Sequence, residues 1–265
     1  GLVMFNFSAS ILNNLNQNAQ HQFCMSYAMQ VFSRNAIYSF IPKNGCSTLR
    51  LSVAIANGCI SGVEQGHWIH ANNQTFKPTL KDAATANYKF VVLRCPFRRL
   101  GSVFLDKFVA KEPEAWQYRD LLKREVNLDD LTFEKFVKSL AVPAMIGANI
   151  HWKPQNLFLL YKEYNDYFAL EHFDKVITTL KGKIDFNVVD ARSLTGHGTD
   201  KFEMLSDDNF SQTSTFDIAV LKRAGKCPSH KALYTEELVQ VVKKLYADDI
   251  ALYSKRCDKN DLLFN

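Results

Sequence analysis

The sequence predicts an α/β fold with a central sheet of parallel strands. Three observations carry that prediction. Segments rich in β-branched and aromatic residues alternate with helical segments along the chain. One of them, YKFVVL at residues 88–93, is a continuous run of aromatic and β-branched or aliphatic residues but for Lys89, as suits a strand buried on both faces. Two strand candidates also run straight into short polar turns followed by helices, at residues 40–50 (FIPKNGCSTLR) and 94–102 (RCPFRRLGS).

The elements follow in order. Residues 1–35, rich in Asn and Gln, read as an extension of loop and helix packed on the body. Residues 36–41 read as a buried strand and 46–56 as a helix, with Leu49, Val53 and Ala56 on one face. Strand 88–93 leads to a helix at 99–110. The next helix, 132–140, has Thr132 as N-cap and Glu134 at the positive end of its dipole. Lys135 stands three residues after that cap, so there is no reciprocal capping box. Short strands are expected at 156–161 and 166–170, a helix at 172–181 and a strand at 184–189. The longest helix, 235–253, is capped by Thr235 and carries Glu236 and Glu237 in its first turn. No repeat or low-complexity linker divides the 265 residues, so 1–265 reads as one domain with a sizeable core.

A formal charge of +5, with no Lys/Arg block, argues against a nucleic-acid-binding tail and suits an anionic ligand. No apolar run approaches the roughly 20 residues that span a bilayer. The opening GLVMFNFSAS lacks the basic region of a signal peptide. Cysteines 24, 46, 59, 95, 227 and 257 form neither a CxxC nor a zinc-type pair. They read as reduced thiols of a cytoplasmic protein. The alternative is the lumenal domain of a membrane-anchored enzyme whose anchor has been removed.

The first turn has the makings of a phosphate cradle. A helix N-terminus presents unpaired amides, and its dipole favours an anion. Gly45 lets backbone approach a ligand, Ser47 and Thr48 add hydroxyls, and Lys43 can set an ammonium against a phosphate or a leaving oxygen. The pattern is not GxxxxGK[ST], because the lysine precedes the glycine and the loop is shorter. An ordinary capped helix is the alternative. At the second turn, Arg94 ends a strand where open α/β sheets bind ligands, and Ser102 follows in the next helix. A guanidinium fork with a hydroxyl suits a second phosphate. The pair points to a ligand with two separated phosphates.

Together, PKNGCSTLR and RCPFRRLGSVFLDKF resemble the two signatures of sulfotransferases that use 3′-phosphoadenosine-5′-phosphosulfate. The first is similar to the 5′-phosphosulfate loop and the second to the 3′-phosphate element RDPxxRLxSxxxxKF. His151-Trp152-Lys153-Pro154-Gln155 resembles the HWxPQ element of the carbohydrate branch, which includes Golgi chondroitin-type enzymes and bacterial relatives. Ser229-His230-Lys231 and the segments 234–238 and 245–249 resemble the C-terminal helix of that branch. Cys95 departs from the usual Asp or Glu, and Ala251-Leu252-Tyr253 from the usual Phe-Gly-Tyr.

The resemblance implies a P-loop-like three-layer sandwich, its parallel sheet flanked by helices, and transfer of a sulfuryl group to a hydroxyl, on a carbohydrate by branch. Lys43 would meet the leaving oxygen; Asn44, Gly45, Cys46, Ser47 and Thr48 would hold the 5′-phosphate; Arg94 and Ser102 would hold the 3′-phosphate. The scheme requires no metal. A hydroxyl acceptor must lose a proton, for which histidine is suited. Gln65-Gly66-His67-Trp68-Ile69-His70 lies between the donor signatures and supplies His70 as the favoured base, with His67 beside it. His151 is a candidate for lining the acceptor site, while His21, His172, His197 and His230 read as structural or surface residues. A nucleophilic Cys46 at the helix N-terminus is a minor alternative. Acceptor loops are expected within 60–80, 111–130 and 190–230. A kinase relative using ATP and a catalytically silent nucleotide-binding protein are the alternative functions.

Overall fold

The computed structural model of the chain describes residues 2–191 and 201–265, so His197 lies outside the described residues. These fall into two compact units, residues 2–94 with 155–191, and residues 95–154 with 201–265. Among the described residues no helix is long and apolar enough to cross a membrane.

The first unit is built on a four-stranded sheet, β1 (Ala28–Val31), β2 (Ala36–Ser39), β3 (Tyr88–Leu93) and β4 (Asp166–Ala169), in that order. Strands β2, β3 and β4 are parallel, with Tyr38 opposite Phe90 and Val92 opposite Phe168. Aromatic side chains bind these strands laterally: the Tyr38 and Phe90 rings stack at 5.0 Å and Phe168 meets Phe90 edge-on at 6.2 Å. The helices Cys46–Ala56 and Phe173–Ile184 add Leu49, Leu51, Val53, Val176 and Leu180 to the same core. Under the sheet end, the Tyr164 hydroxyl accepts the Leu160 amide at 2.8 Å and shares a 2.8 Å bond with the Ser39 hydroxyl.

In the second unit the helix Pro96–Val103 continues into a π-helical turn, Phe104–Phe108. The core centres on Trp152, whose indole N–H donates to the Met145 carbonyl at 2.8 Å. Rings of Phe108, Tyr118 and Phe136 surround it at 5.8, 6.1 and 5.7 Å. A small βαβ unit adds β5 (Glu203–Leu205) and β6 (Lys226–Pro228), parallel, with the helix Thr215–Arg223 between them.

The fold class is as the sequence predicts, a mostly parallel central sheet flanked by helices. Several elements differ. The edge strand β1 lies within the Asn/Gln-rich extension and pairs antiparallel with β2, turning at Asn35 in the left-handed region (φ 46°). Residues 156–161 are not a strand: a 3₁₀ turn, Gln155–Phe158, occupies them, leaving Tyr161 one isolated bridge to Phe5. Ile184 ends a helix instead of opening a strand, because Asp185 turns left-handed (φ 48°) and stops it. The C-terminal helix is two, Glu236–Leu245 and Ala247–Arg256, broken at Tyr246, whose hydroxyl donates to the Trp152 carbonyl at 2.6 Å. Expected at 99–110, the helix begins instead at Pro96, a residue suited to a first turn. Thr132 caps its helix as expected, accepting the Lys135 amide at 3.2 Å.

Burial raises the phenols of Tyr38 and Tyr164 in the first unit, and of Tyr234 and Tyr246 in the second, above their ordinary value of 10.0. The unfolded chain therefore releases these protons first as pH rises, and each group's contribution is intact below pH about 10 and lost above it. Urea unfolding followed across pH 8–11 should show stability falling above pH about 10, with delayed tyrosinate absorbance in the folded protein. A midpoint that stays flat through that range would contradict this.

Candidate functional site

The chain leaves β2 through buried Phe40 and Ile41 and enters a tight turn. Lys43 (φ 73°) and Gly45 (φ 74°) both adopt the left-handed conformation. A non-glycine residue held there stores strain of order 1–3 kcal/mol, a feature that clusters at functional sites. Gly45 is required twice over, since a Cβ there would also lie 3.0 Å from Leu170 Cδ1. The Asn44 amide closes the turn on the Ile41 carbonyl at 3.1 Å.

Gly45 is then the N-cap of the helix Cys46–Ala56, and no side chain caps it. The first helical bond runs from Leu49 N to Gly45 O, at 3.3 Å. The amides of Cys46, Ser47 and Thr48 precede it and have no intrahelical acceptor. This is the geometry of an anion seat, with the helix dipole behind it. The Thr48 hydroxyl accepts the Ala191 amide at 3.3 Å, and Ser52, one turn on, accepts the Val189 amide at 2.8 Å. Residues 188–191 thus run along this helix.

Arg94, the first residue of the second predicted turn, is bonded to the first turn. Arg94 Nη1 donates to the Lys43 carbonyl at 2.8 Å. Gln155, 2% exposed, joins both. Its Oε1 accepts the Arg94 amide at 3.0 Å and Asn44 Nδ2 at 2.8 Å, while its Nε2 donates to the Arg94 carbonyl at 2.9 Å. Asn44 Nδ2 also donates to the Val92 carbonyl in β3, at 3.0 Å. The Asn44 side chain is therefore turned into the protein. Gln155 is a positioning residue that sequence reasoning quoted within HWKPQ and gave no role.

His67 and His70 lie on and before the one-turn helix Trp68–Ala71, both exposed, with ring centroids 5.9 Å apart. The turn is anchored by buried Ile69 and by Trp68, which packs on Phe76 at 5.8 Å. His21 is buried and edge-on to Phe5, and burial lowers its pKa.

Ser102 and His151 belong to the second unit. Ser102 is buried, and its hydroxyl donates to Asp106 Oδ2 at 3.3 Å. Cys95, fully buried, accepts the Leu263 amide at 3.3 Å where a carboxylate is usual in the resembling family. The rings of Phe97 and Phe264 pack beside it, 5.1 Å apart. Gly101 admits His230, whose Cδ2 would be 3.2 Å from an added Cβ. Arg99 fastens the HWKPQ segment through the carbonyls of Ile150 and Lys153, at 3.0 and 2.7 Å.

On that segment the His151 ring is set between two partners. Nδ1 lies 2.8 Å from Asn149 Oδ1, and Nε2 lies 3.6 Å from Glu114 Oε1. Lys107 meets the same carboxylate oxygen at 3.5 Å. Asn149 Oδ1 also accepts the His151 amide at 2.9 Å, and its Nδ2 donates to Gln117 Oε1 at 3.1 Å, fixing which end faces the ring. Nδ1 is therefore the protonated nitrogen in the neutral imidazole.

The family model described as "Sulfotransferase family" matches residues 32–255. Carbohydrate sulfotransferase 10 of Xenopus laevis is 25% identical over 152 residues, which cover 50% of this chain and 43% of that protein. The chain thus spans less than half the length of the curated relative that it matches. No solved structure matches the chain.

Replacing Gln155 by Leu would leave the Arg94 amide and carbonyl without this partner. The expected cost is about 1–3 kcal/mol for each buried group left unsatisfied. Hydrogen exchange should quicken at residues 44–48 and around Arg94 more than at the Trp152 core; unchanged exchange at 44–48 would overturn the positioning role.

Proposed function

The chain belongs to the sulfotransferase family, and from that premise we propose that it transfers the sulfuryl group of 3′-phosphoadenosine-5′-phosphosulfate to a hydroxyl of a carbohydrate acceptor. The observation that carries the reading is the joining of the two phosphate-type turns, Arg94 to Lys43 directly and both through Gln155 and Asn44. An uncapped helix N-terminus and a strand-end guanidinium, so joined, suit a donor with separated phosphates. The donor supplies the sulfuryl group. The amides and hydroxyls from Gly45 to Thr48 hold the 5′-phosphate end, and Asn44 acts from inside by holding the turn in shape. Lys43 directs its ammonium to the bridge oxygen, where negative charge grows as the bond to sulfur breaks and the acceptor oxygen bonds to sulfur.

Arg94 holds the 3′-phosphate while keeping Nη1 on the Lys43 carbonyl, and Ser102 is the second residue that the resemblance assigns to that phosphate. His70 takes the acceptor proton, with His67 beside it binding acceptor. His151, oriented by Asn149 and Glu114, binds an acceptor hydroxyl. The carbohydrate class is supported by the branch resemblance and by the name of the Xenopus laevis relative. All six cysteines are free thiols, which supports a cytoplasmic setting.

Titration calorimetry with adenosine 3′,5′-bisphosphate, against 5′-AMP and ATP, tests the donor site. Binding of the bisphosphate alone, weakened in Arg94→Ala, is the expected result; equal binding of ATP would overturn the reading. In turnover assays across a carbohydrate panel, Lys43→Ala should lower kcat by about 10²–10³ or more with the fold intact. His70→Ala should lose transfer and keep bisphosphate binding; full activity would reject His70 as the base.

A further inference from the structure

Arg50, the last residue of FIPKNGCSTLR, is 8% exposed and has no part in the donor contacts above. It lies in the second turn of the helix Cys46–Ala56, whose first turn forms the anion seat. Its Nη2 donates to the Ile69 carbonyl at 3.0 Å and to Asn73 Oδ1. Asn73 Nδ2 in turn donates to the His70 carbonyl at 3.4 Å. The guanidinium carbon is 5.5 Å from the centroid of Phe40, so the cation bridges the first and last residues of the loop. Its Nε is buried with no acceptor among the described residues. The acceptors it has are a backbone carbonyl and a carboxamide, not a carboxylate.

Burying a cation with neutral partners and one donor unsatisfied is costly. An aliphatic side chain at this place would pack against Phe40 without that penalty. What an aliphatic side chain could not do is hold the Ile69 carbonyl and, through Asn73, the His70 carbonyl. The helix Trp68–Ala71 has four residues and cannot sustain itself. Its position is set by its neighbours: Ile69 and Trp68 supply the apolar contact, which resists lifting but is non-directional. Directional side-chain contacts to its backbone come from the adjacent Asn72, which donates to the Trp68 carbonyl at 2.9 Å, and at the Ile69 and His70 carbonyls from Arg50 and Asn73.

We propose that Arg50 is a positioning residue. It couples the helix behind the anion seat to the turn bearing His67 and His70, and so fixes where His70 stands relative to Lys43. The inference rests on the donor and base assignments above, and gives that base a register with the donor loop. It also implies that filling the anion seat is felt at His70, because the two share one buried guanidinium.

The test needs no acceptor. Adenosine 3′,5′-bisphosphate is titrated into the wild type, Arg50→Met, Arg50→Lys and Asn73→Ala. Affinity is read by calorimetry, fold by thermal melting, and the two histidines by ¹³C-labelled ring NMR. In the wild type, the bisphosphate should shift the His70 ring signal. Arg50→Met should bind within about threefold of wild type but lose the shift, and Arg50→Lys should restore part of it. Asn73→Ala, at an exposed position, should weaken the shift and leave melting unchanged, which keeps the test open should Arg50→Met fold poorly. A wild-type shift retained in Arg50→Met or, if that variant is unfolded, in Asn73→Ala would overturn the inference. So would a wild type that binds with no response at His70, although the donor reading would then stand. A wild type that does not bind the bisphosphate would overturn both.

Discussion

The carboxamide of Gln155 is the constraint on which the site depends. It pairs with both the amide and the carbonyl of Arg94, as a neighbouring strand would, just past the end of β3. The same oxygen receives Asn44, and Asn44 reaches the last turns of β3 through the Val92 carbonyl. The chemistry at position 155 is restrictive. Glutamate would put a charge where a donor to the Arg94 carbonyl is needed, and an aliphatic residue would remove this partner from the Arg94 amide and carbonyl and leave Asn44 Nδ2 only the Val92 carbonyl of the two acceptors described. With the carboxamide present, two loops separated by about fifty residues of sequence share one hydrogen-bonded frame. The chain leaves the first unit after Arg94 and re-enters it at Gln155.

That frame makes the left-handed turn at Lys43 tolerable. A lysine at φ 73° would relax elsewhere; here its carbonyl is held by Arg94 and the next residue is locked by two side-chain bonds and an amide bond. The result is preorganisation. The amides of the helix N-terminus are held in one direction, which is the arrangement that the proposed donor site needs. Three cations serve the same unit in different ways. Lys43 stands in the turn, Arg94 spans turn and strand end, and Arg50 is buried one turn into the helix.

Much of this was legible in the sequence, and the rest was not for identifiable reasons. YKFVVL reads as a central strand because it is aromatic and β-branched with Lys89 its one polar residue, and Thr132 reads as a cap because the cap bond is local. AMQV is too short and too close to polar neighbours to stand out, and it becomes a strand only by pairing with β2. NLFLLY has strand composition, yet Gln155 commits the start of that segment to the Arg94 backbone and a 3₁₀ turn follows. Tyr246 looks helical, and nothing local announces that its hydroxyl is drawn to the Trp152 carbonyl. At the site, residue types could be read as two phosphate turns, but their joining could not. The links Arg94 to Lys43, Arg50 to Ile69 and Glu114 to His151 span 51, 19 and 37 residues and leave no periodic trace.

His151 and His70 show how much a histidine's setting matters to what it can do. His70 is exposed, and its backbone is placed by a buried cation through Asn73. His151 is half-buried, and its ring itself is placed, with one nitrogen on a carboxamide and the other facing a carboxylate already shared with Lys107. The bond from Asn73 to His70 is to the backbone carbonyl, so it sets the place of the residue and not the direction of the ring. Placement of the ring fixes the tautomer and the direction of Nε2, at the cost of crowding that nitrogen with Glu114. The first arrangement suits proton removal, where the base must turn over, and the second suits recognition, where a hydroxyl must be met in one orientation. The difference follows from what the two histidines are bonded to, and it is what supports proposing different roles for them.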